Sequence, residues 1–262
     1  MSRNFELMQM AGRDAEFRRV RDAHETVPPV NPSKEVEYVE SYRPAQRDAI
    51  GLDLDELAHE ESLRLVQRTF LQGEGAPRTV VFAGIDHGNG CSRLCVRIAE
   101  ALASNVSGAI CLVDANLRTP SLPRLFGVSN HYGLTDALLN PGPIRSFTKP
   151  LRNQKLSLLS CGSIAADSPR LLNSDHLQKR LIELRKEFDF VLIDAPPLAR
   201  YGDAMGLGKV SDGMVLILEA NSTRREVALT VSENLRAAGI KILGAVLNKR
   251  TFPIPERLYH LL

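Results

Sequence analysis

The stretch GIDHGNGCSR, residues 84–93, has the features of a phosphate-binding loop that lacks its lysine. Glycines at 84, 88 and 90 stand between an apolar run and an amphipathic one, so backbone N–H groups and a helix N-terminus could face a phosphate. The usual pattern, G-x-x-x-x-G-K-[ST], ends in a lysine and a hydroxyl that binds Mg²⁺, whereas here Cys91 precedes Ser92. Taken alone the loop is a weak motif, because a glycine-rich turn that binds no ligand has the same features.

Two aspartates end apolar runs further along the chain. Asp114 follows AICLV and is itself followed, at two-residue spacing, by Asn116 and Arg118; Asp194 follows DFVLI. A carboxylate at a strand end beside a phosphate loop can hold Mg²⁺ or accept a proton from an attacking hydroxyl. One such aspartate is commonly only a turn residue, but two that face the same glycine loop form a more specific pattern.

A parallel sheet is needed to bring these residues together, and the hydrophobic pattern predicts one. Short apolar runs predict strands at 79–84, 109–115, 156–162, 189–196, 213–220 and 241–248. Amphipathic stretches predict helices at 53–72, 91–104, 170–188 and 225–238. Apolar strands separated by helices indicate an α/β fold, with a doubly wound, mainly parallel sheet and helices on both faces. Ligands of such sheets bind beyond the carboxyl ends of the strands, where the glycine loop and both aspartates are expected.

The composition divides the chain into three segments. Residues 1–52 carry charges and prolines that cannot supply a packed face, which predicts a flexible N-terminal arm. Residues 53–250 form the predicted folded domain, and residues 251–262 a C-terminal tail. The formal charge of +2 gives no reason to expect nucleic acid as a partner. No apolar run is long enough to span a membrane, no secretory leader is evident and the cysteines form no disulfide framework, so the expected compartment is the cytoplasm.

The chain resembles the cytoplasmic domain of the bacterial tyrosine kinases of capsular and exopolysaccharide biosynthesis. The resemblance spans about residues 55–250 and depends on the segments VVFAG, GNGCS, CLVDANLRTPSLPRLFG, GLTDAL, PRLLNSD and FDFVLIDAPPL. It implies a P-loop NTPase fold, a Rossmann-like three-layer sandwich, with more distant likeness to partition and division-site ATPases. It also implies ATP or ADP with Mg²⁺ as cofactor, and a homo-oligomer. The implied partner is a membrane protein of polysaccharide chain-length control or export, which would hold the chain peripherally at the inner membrane.

The resemblance also implies roles for particular residues of this sequence. Ser92, Asp114 and Asp194 would be the Mg²⁺ ligands, and the two aspartates would be the catalytic residues of an active enzyme. The nucleotide site would consist of Gly84, Gly88, Asn89, Gly90, Cys91, Ser92, Arg93, Arg118 and Asn248. An interface between subunits would use Glu60, Glu61, Arg64 and Arg68.

Three departures from the family pattern affect phosphoryl transfer. Cys91 replaces the lysine that neutralises phosphate charge, Asn116 replaces a second aspartate, and the tail carries one tyrosine, Tyr259, instead of a cluster. Losing a charge-assisted hydrogen bond of about 1.5–3 kcal/mol would weaken ATP binding roughly 10- to 150-fold. Catalysis depends even more on positioned charge. We therefore expect a degenerate tyrosine-kinase-like protein, a pseudokinase that serves as a nucleotide-binding or regulatory subunit of polysaccharide assembly or export.

Two alternative functions stay open. An active autokinase needs a relocated cation, for which Arg93, or Arg64 or Arg68 of another subunit, are candidates, although each also fits an exposed helix face. The other alternative is a positioning ATPase of the partition or division-site type. Cys91 also raises the question of redox sensing, because a thiol at a helix N-terminus tends toward a lowered pKa. Cys95 lies one turn later on the same face, but two cysteines without further ligands indicate packing more often than a metal site.

Overall fold

The computed structural model of the protein describes residues 54–164, 168–172 and 175–250. The predicted N-terminal arm and C-terminal tail, with Tyr259, lie outside the described residues. Within the described part, none of the helices combines the length and the apolar character that crossing a membrane requires.

The described chain contains seven strands that form one sheet. They are β1 Thr79–Gly84, β2 Ile110–Asp114, β3 Lys149–Pro150, β4 Leu156–Leu159, β5 Phe190–Ala195, β6 Gly213–Glu219 and β7 Ile242–Asn248. The strand order is β3-β4-β2-β5-β1-β6-β7, and within this sheet β3 alone runs antiparallel to its neighbour. The prediction of a doubly wound, mainly parallel sheet is therefore confirmed. The two-residue β3 was not predicted, because it is too short to show a hydrophobic period.

Helices cover both faces of this sheet. They are α1 Leu54–Phe70, α2 Cys91–Asn105, α3 Leu122–Leu125, α4 Leu134–Leu139, α5 Ser168–Leu171, α6 Asp175–Glu187, α7 Asp203–Lys209 and α8 Arg225–Ala237. The single helix predicted over residues 170–188 was wrong, since α5 and α6 are separate helices. Asn173 and Ser174 stand between them, and these residue types favour helix ends over helix interiors. The short helices α3, α4 and α7 were not predicted, because none is long enough to display an amphipathic period.

Two hydrophobic cores lie on opposite sides of the sheet. Alternate residues of β1 point to opposite faces, so that Val80 and Phe82 join one core while Val81 and Ala83 join the other. All six residues of β1 are buried, which explains why the strand reads as an uninterrupted apolar run. β1 and β5 lie near the centre of the sheet, where each is paired with a strand on both sides.

Candidate functional site

The loop between β1 and α2 is held closed by asparagine side chains. Asn89 is 2% exposed, and its Oδ1 accepts a hydrogen bond from the Asp86 N–H at 2.8 Å. Its amide nitrogen lies 3.3 Å from Thr223 Oγ1, to which it donates. Asn248, at the end of β7, donates from Nδ2 to the Asn89 carbonyl oxygen at 2.7 Å. Asn89 and Asn248, both predicted as nucleotide contacts, thus fasten the loop to the end of β7 and to the segment after β6.

Glycine is required twice in this loop. Gly88 and Gly90 have φ values of +88° and +81°, in the left-handed region that side chains with a Cβ rarely adopt. A Cβ on Gly90 would also lie 2.6 Å from Asn248 Nδ2. Gly90 is the residue that precedes α2, and it has no side chain with which to cap the helix. The first turn of α2 therefore presents backbone N–H groups to the loop, as an anion-binding site requires.

Asp114 and Asp194 are register partners at the carboxyl ends of β2 and β5, and both are fully buried. Asp114 accepts three backbone hydrogen bonds, from Asn116 to Oδ1 at 3.2 Å and from Ser121 and Leu122 to Oδ2 at 3.2 and 3.1 Å. Asp194 differs, since its Oδ2 is buried and has no hydrogen-bond partner among the described residues. Asp114 therefore organises the segment that leads into α3, whereas Asp194 keeps an oxygen available for a ligand.

Both neighbouring carboxyl groups are costly to ionise, because both are buried. Burial, followed by the charge of Asp194, raises the pKa of Asp114, and its three backbone hydrogen bonds offset only part of this effect. Burial also raises the pKa of Asp194, against hydrogen bonds from the side chains of Ser92, Cys91 and Cys95 that lower it. Two buried carboxyls side by side, one with an unpartnered oxygen, form a site that a bound cation would stabilise.

Cys91 and Cys95 place their thiols next to Asp194. The two Sγ atoms and a carboxylate oxygen of Asp194 all lie within 4.8 Å of one another, and Cys95 Sγ is 3.8 Å from Asp194 Oδ1. A hydrogen bond with Cys95 lowers the pKa of Cys91, but burial and the charge of Asp194 together raise it to about 11. The expectation of a lowered pKa at this helix N-terminus was therefore wrong. The pKa of Cys91 is raised by burial of the thiol and then by the charge of Asp194, neither of which sequence spacing revealed.

Asn116 and Arg118 make contacts of their own. The Asn116 side chain closes a turn, since its Oδ1 accepts from the Thr119 N–H and its Nδ2 donates to Thr119 Oγ1, both at 3.2 Å. Arg118 donates from Nε to Asp203 Oδ2 at 3.0 Å, and its guanidinium lies 4.3 Å from the centre of the Tyr201 ring. Arg118 thus joins the segment after β2 to α7. Sequence reasoning missed Asp203 and Tyr201, because nothing local marks a pairing across 85 positions.

The remaining cationic candidates lie on exposed helix faces. Arg93 is exposed in the first turn of α2, and Arg68 is exposed on α1. Arg64 pairs with Glu61 at 2.6 Å and with Glu60 at 3.8 Å, and all three side chains are more than half exposed. Pairs of this kind stabilise a helix by about 0.2–0.5 kcal/mol each. Their use between subunits stays a prediction.

The chain was compared with known proteins. No protein-family model matches it. The tyrosine-protein kinase YwqD of Bacillus subtilis is 28% identical over 205 residues, which cover 78% of this chain and 86% of YwqD. The tyrosine-protein kinase CpsD of Streptococcus agalactiae is 25% identical over 184 residues, which cover 70% of this chain and 80% of CpsD.

The fold was compared with solved structures. The septum site-determining protein MinD of Pyrococcus horikoshii, complexed with Mg-ADP, superposes with a TM-score of 0.56 at 20% identity. The match covers 69% of this chain and 75% of MinD, and at that identity it shows the fold alone. Sequence and fold together make this chain a homologue of the bacterial tyrosine-protein kinases, built on the P-loop ATPase fold that MinD shares.

Proposed function

We propose that this chain is a nucleotide-binding, regulatory member of the tyrosine-kinase family in which phosphoryl transfer is weak or absent. The observation that carries the proposal is the contact of Cys91 with Cys95 and Asp194 at the start of α2. In the phosphate-loop pattern this position belongs to a lysine, whose ammonium group neutralises phosphate. With its pKa raised to about 11, the Cys91 thiol is neutral at pH 7 and supplies no positive charge.

The residues that remain are suited to hold a nucleotide. Gly88 and Gly90 shape the loop, and α2 begins there without a side-chain cap, which favours bound phosphate. Ser92 and Asp194 would hold Mg²⁺, and the unpartnered Oδ2 of Asp194 supports a cation at that point. ATP with Mg²⁺, when bound, supplies a transferable phosphoryl group. MinD, which shares the fold, has been solved with Mg-ADP.

The charged groups that phosphoryl transfer needs are committed elsewhere or missing. The Asn116 amide carries no charge, is not a base, and closes a turn with Thr119. Arg118 is paired with Asp203. Asp114 accepts hydrogen bonds from three backbone N–H groups, which engage both of its carboxylate oxygens. Because phosphoryl transfer depends almost wholly on positioned charge, these contacts support binding with little turnover.

We place this function in exopolysaccharide or capsule assembly, as the family resemblance implies. The chain would act in the cytoplasm with a separate membrane protein of chain-length control or export. The exposed ion pairs of Arg64 with Glu60 and Glu61 on α1 are available to exchange partners in a homo-oligomer. Formation of the homo-oligomer would bring several nucleotide sites to one export assembly.

The proposal is tested by incubating the purified full-length chain with radiolabelled ATP and Mg²⁺. We expect no more label on the natural protein than on the Asp194→Ala variant. Magnesium-dependent autophosphorylation that disappears in Asp194→Ala would contradict the regulatory assignment. One rival is an active autokinase that uses Arg93, in the first turn of α2 beside the glycine loop, as its cation. In that case Arg93→Ala should abolish labelling while the circular dichroism spectrum stays unchanged.

A further inference from the structure

Three potential metal-ligating atoms meet at the start of α2. The Sγ atoms of Cys91 and Cys95 and a carboxylate oxygen of Asp194 all lie within 4.8 Å of one another. In the described part of the chain, this is the one group of three or more His, Cys, Asp or Glu side chains close enough to share an ion. Its members come from a helix and the central strand β5, so the backbone fixes their positions.

The distances between these ligand atoms fit an ion with tetrahedral coordination. Zinc bonds of about 2.3 Å to sulfur and 2.0–2.2 Å to oxygen place tetrahedral ligand atoms about 3.6 to 3.8 Å apart. Cys95 Sγ lies 3.8 Å from Asp194 Oδ1. Cys91 and Cys95 are four positions apart in a helix, the separation that brings two side chains onto one face. The Cys91 Sγ lies within 4.8 Å of both other ligand atoms, and the Cys91 side chain is half buried.

A second observation, independent of the thiols, points to a cation. Asp194 is fully buried, and its Oδ2 has no hydrogen-bond partner among the described residues. A metal bond to that oxygen would satisfy the buried acceptor. Thiolates are soft ligands that select zinc over magnesium, so the chemistry of this group differs from that of an ordinary Mg²⁺ site.

We propose that Cys91, Cys95 and Asp194 bind one Zn²⁺ ion in place of the phosphate-loop lysine. Three protein ligands leave a fourth position open, as in zinc sites that take water or an exchangeable oxygen ligand. Cys91 and Ser92 are only half buried, so solvent approaches the group of ligands at the start of α2. Binding releases the two thiol protons to solvent with no change in oxidation state, and affinity therefore rises with pH.

The zinc site does not depend on the proposed nucleotide function. It uses Asp194, which Mg²⁺ would also use, so Zn²⁺ and Mg-nucleotide should compete for the loop. A protein that binds zinc without nucleotide, or nucleotide without zinc, would separate the two claims.

The test uses the untagged full-length protein, reduced and stripped of metal with a chelator that is then removed. Zn²⁺ is titrated in competition with a chromophoric indicator, and Co²⁺ is titrated alone as a spectroscopic probe. We expect one ion per chain, with a thiolate-to-cobalt charge-transfer band in the near ultraviolet and the intense visible bands of tetrahedral Co²⁺. Cys91→Ser should weaken Zn²⁺ binding by about 100-fold or more, since losing an outer-sphere partner alone costs 10–100-fold. Cys111→Ala, which removes a buried thiol from the opposite core, should leave the affinity unchanged.

Equal Zn²⁺ affinity in the natural protein and in Cys91→Ser would overturn the proposal. A Co²⁺ spectrum typical of octahedral oxygen ligands, without a thiolate band, would overturn it as well. Circular dichroism checks that each variant is folded. The Co²⁺ spectrum of the natural protein decides the question even if Cys91→Ser does not fold.

Discussion

Replacing Asp194 with asparagine should stabilise the metal-free protein at pH 8, although the residue lies in the candidate nucleotide site. Its carboxylate is fully buried beside that of Asp114, and one of its oxygens has no hydrogen-bond partner among the described residues. An ionised carboxylate is costly to bury, and the neutral amide removes that charge together with its repulsion from Asp114. We therefore expect Asp194→Asn to raise the free energy of unfolding by about 1–3 kcal/mol.

Asp114→Asn is the matched control, because it removes the same charge from the neighbouring position. The Asp114 carboxylate accepts three backbone N–H groups, and an asparagine must turn its own NH₂ toward at least one of them. Losing one charge-assisted hydrogen bond costs about 1.5–3 kcal/mol. Asp114→Asn should therefore be less stable than Asp194→Asn by about that amount.

The effect should depend on pH. Both carboxyls have a pKa above the ordinary value of 3.8, so the folded state holds protons that the unfolded state has already released. Stability therefore falls as pH rises from the ordinary value through the raised values, and the full penalty is present only above them. The advantage of Asp194→Asn over the natural protein should accordingly be larger at pH 8 than at pH 5.

Urea unfolding followed by far-ultraviolet circular dichroism measures these differences, since the chain contains no tryptophan. The three proteins are compared at pH 5 and pH 8 in the presence of a chelator. The reasoning is refuted if Asp194→Asn is less stable than the natural protein at pH 8. A natural protein that becomes more stable between pH 5 and pH 8 would refute the assigned pKa directions.

Three further substitutions test the surrounding structure. Arg180, which is 9% exposed, donates to three backbone carbonyl oxygens. Arg180→Met removes these charge-assisted hydrogen bonds and should lower the free energy of unfolding by about 3–5 kcal/mol in urea titrations. A loss below 1 kcal/mol would contradict these contacts. A Cβ on Gly133 would lie 2.1 Å from the Ser160 carbonyl oxygen, so Gly133→Ala should shift the thermal midpoint strongly downward, and an unchanged midpoint would contradict the close approach. Asn248→Ala removes the hydrogen bond to the Asn89 carbonyl oxygen, so amide hydrogen exchange should accelerate in the glycine loop but not in β5. Equal protection of the loop in both proteins would contradict a role of this hydrogen bond in holding the loop.

Local sequence pattern was sufficient to predict the sheet. Each central strand is buried on both faces and therefore appears in the sequence as an apolar run. Two of these runs, in β2 and β5, are followed by the site residues Asp114 and Asp194. Parallel strands align their carboxyl ends, so predicting β2 and β5 as parallel strands was enough to predict that Asp114 and Asp194 lie close together. Helices of one or two turns were missed, because their hydrophobic periods are too short to detect.

The interactions within the site could not be predicted, because they join distant parts of the chain. Asp194 reaches Cys95 across 99 positions, and Asn248 reaches Asn89 across 159. The sequence pattern placed the Cys91 thiol at a helix N-terminus, and this position implied a lowered pKa. Burial of the thiol and the charge of Asp194 raise the pKa instead, and both arise only in the fold.

The most direct test of the central claim is a calorimetric titration of the metal-free protein with ATP and Mg²⁺, repeated with Cys91→Lys. The lysine variant restores the charge at the loop and should bind roughly 10- to 150-fold more tightly than the natural protein, from a charge-assisted hydrogen bond of about 1.5–3 kcal/mol. Cys91→Ser, which removes the thiol without adding charge, should not tighten binding to this extent. Equal, tight binding by the natural protein and the lysine variant would mean that another cation serves the loop, and would contradict the account.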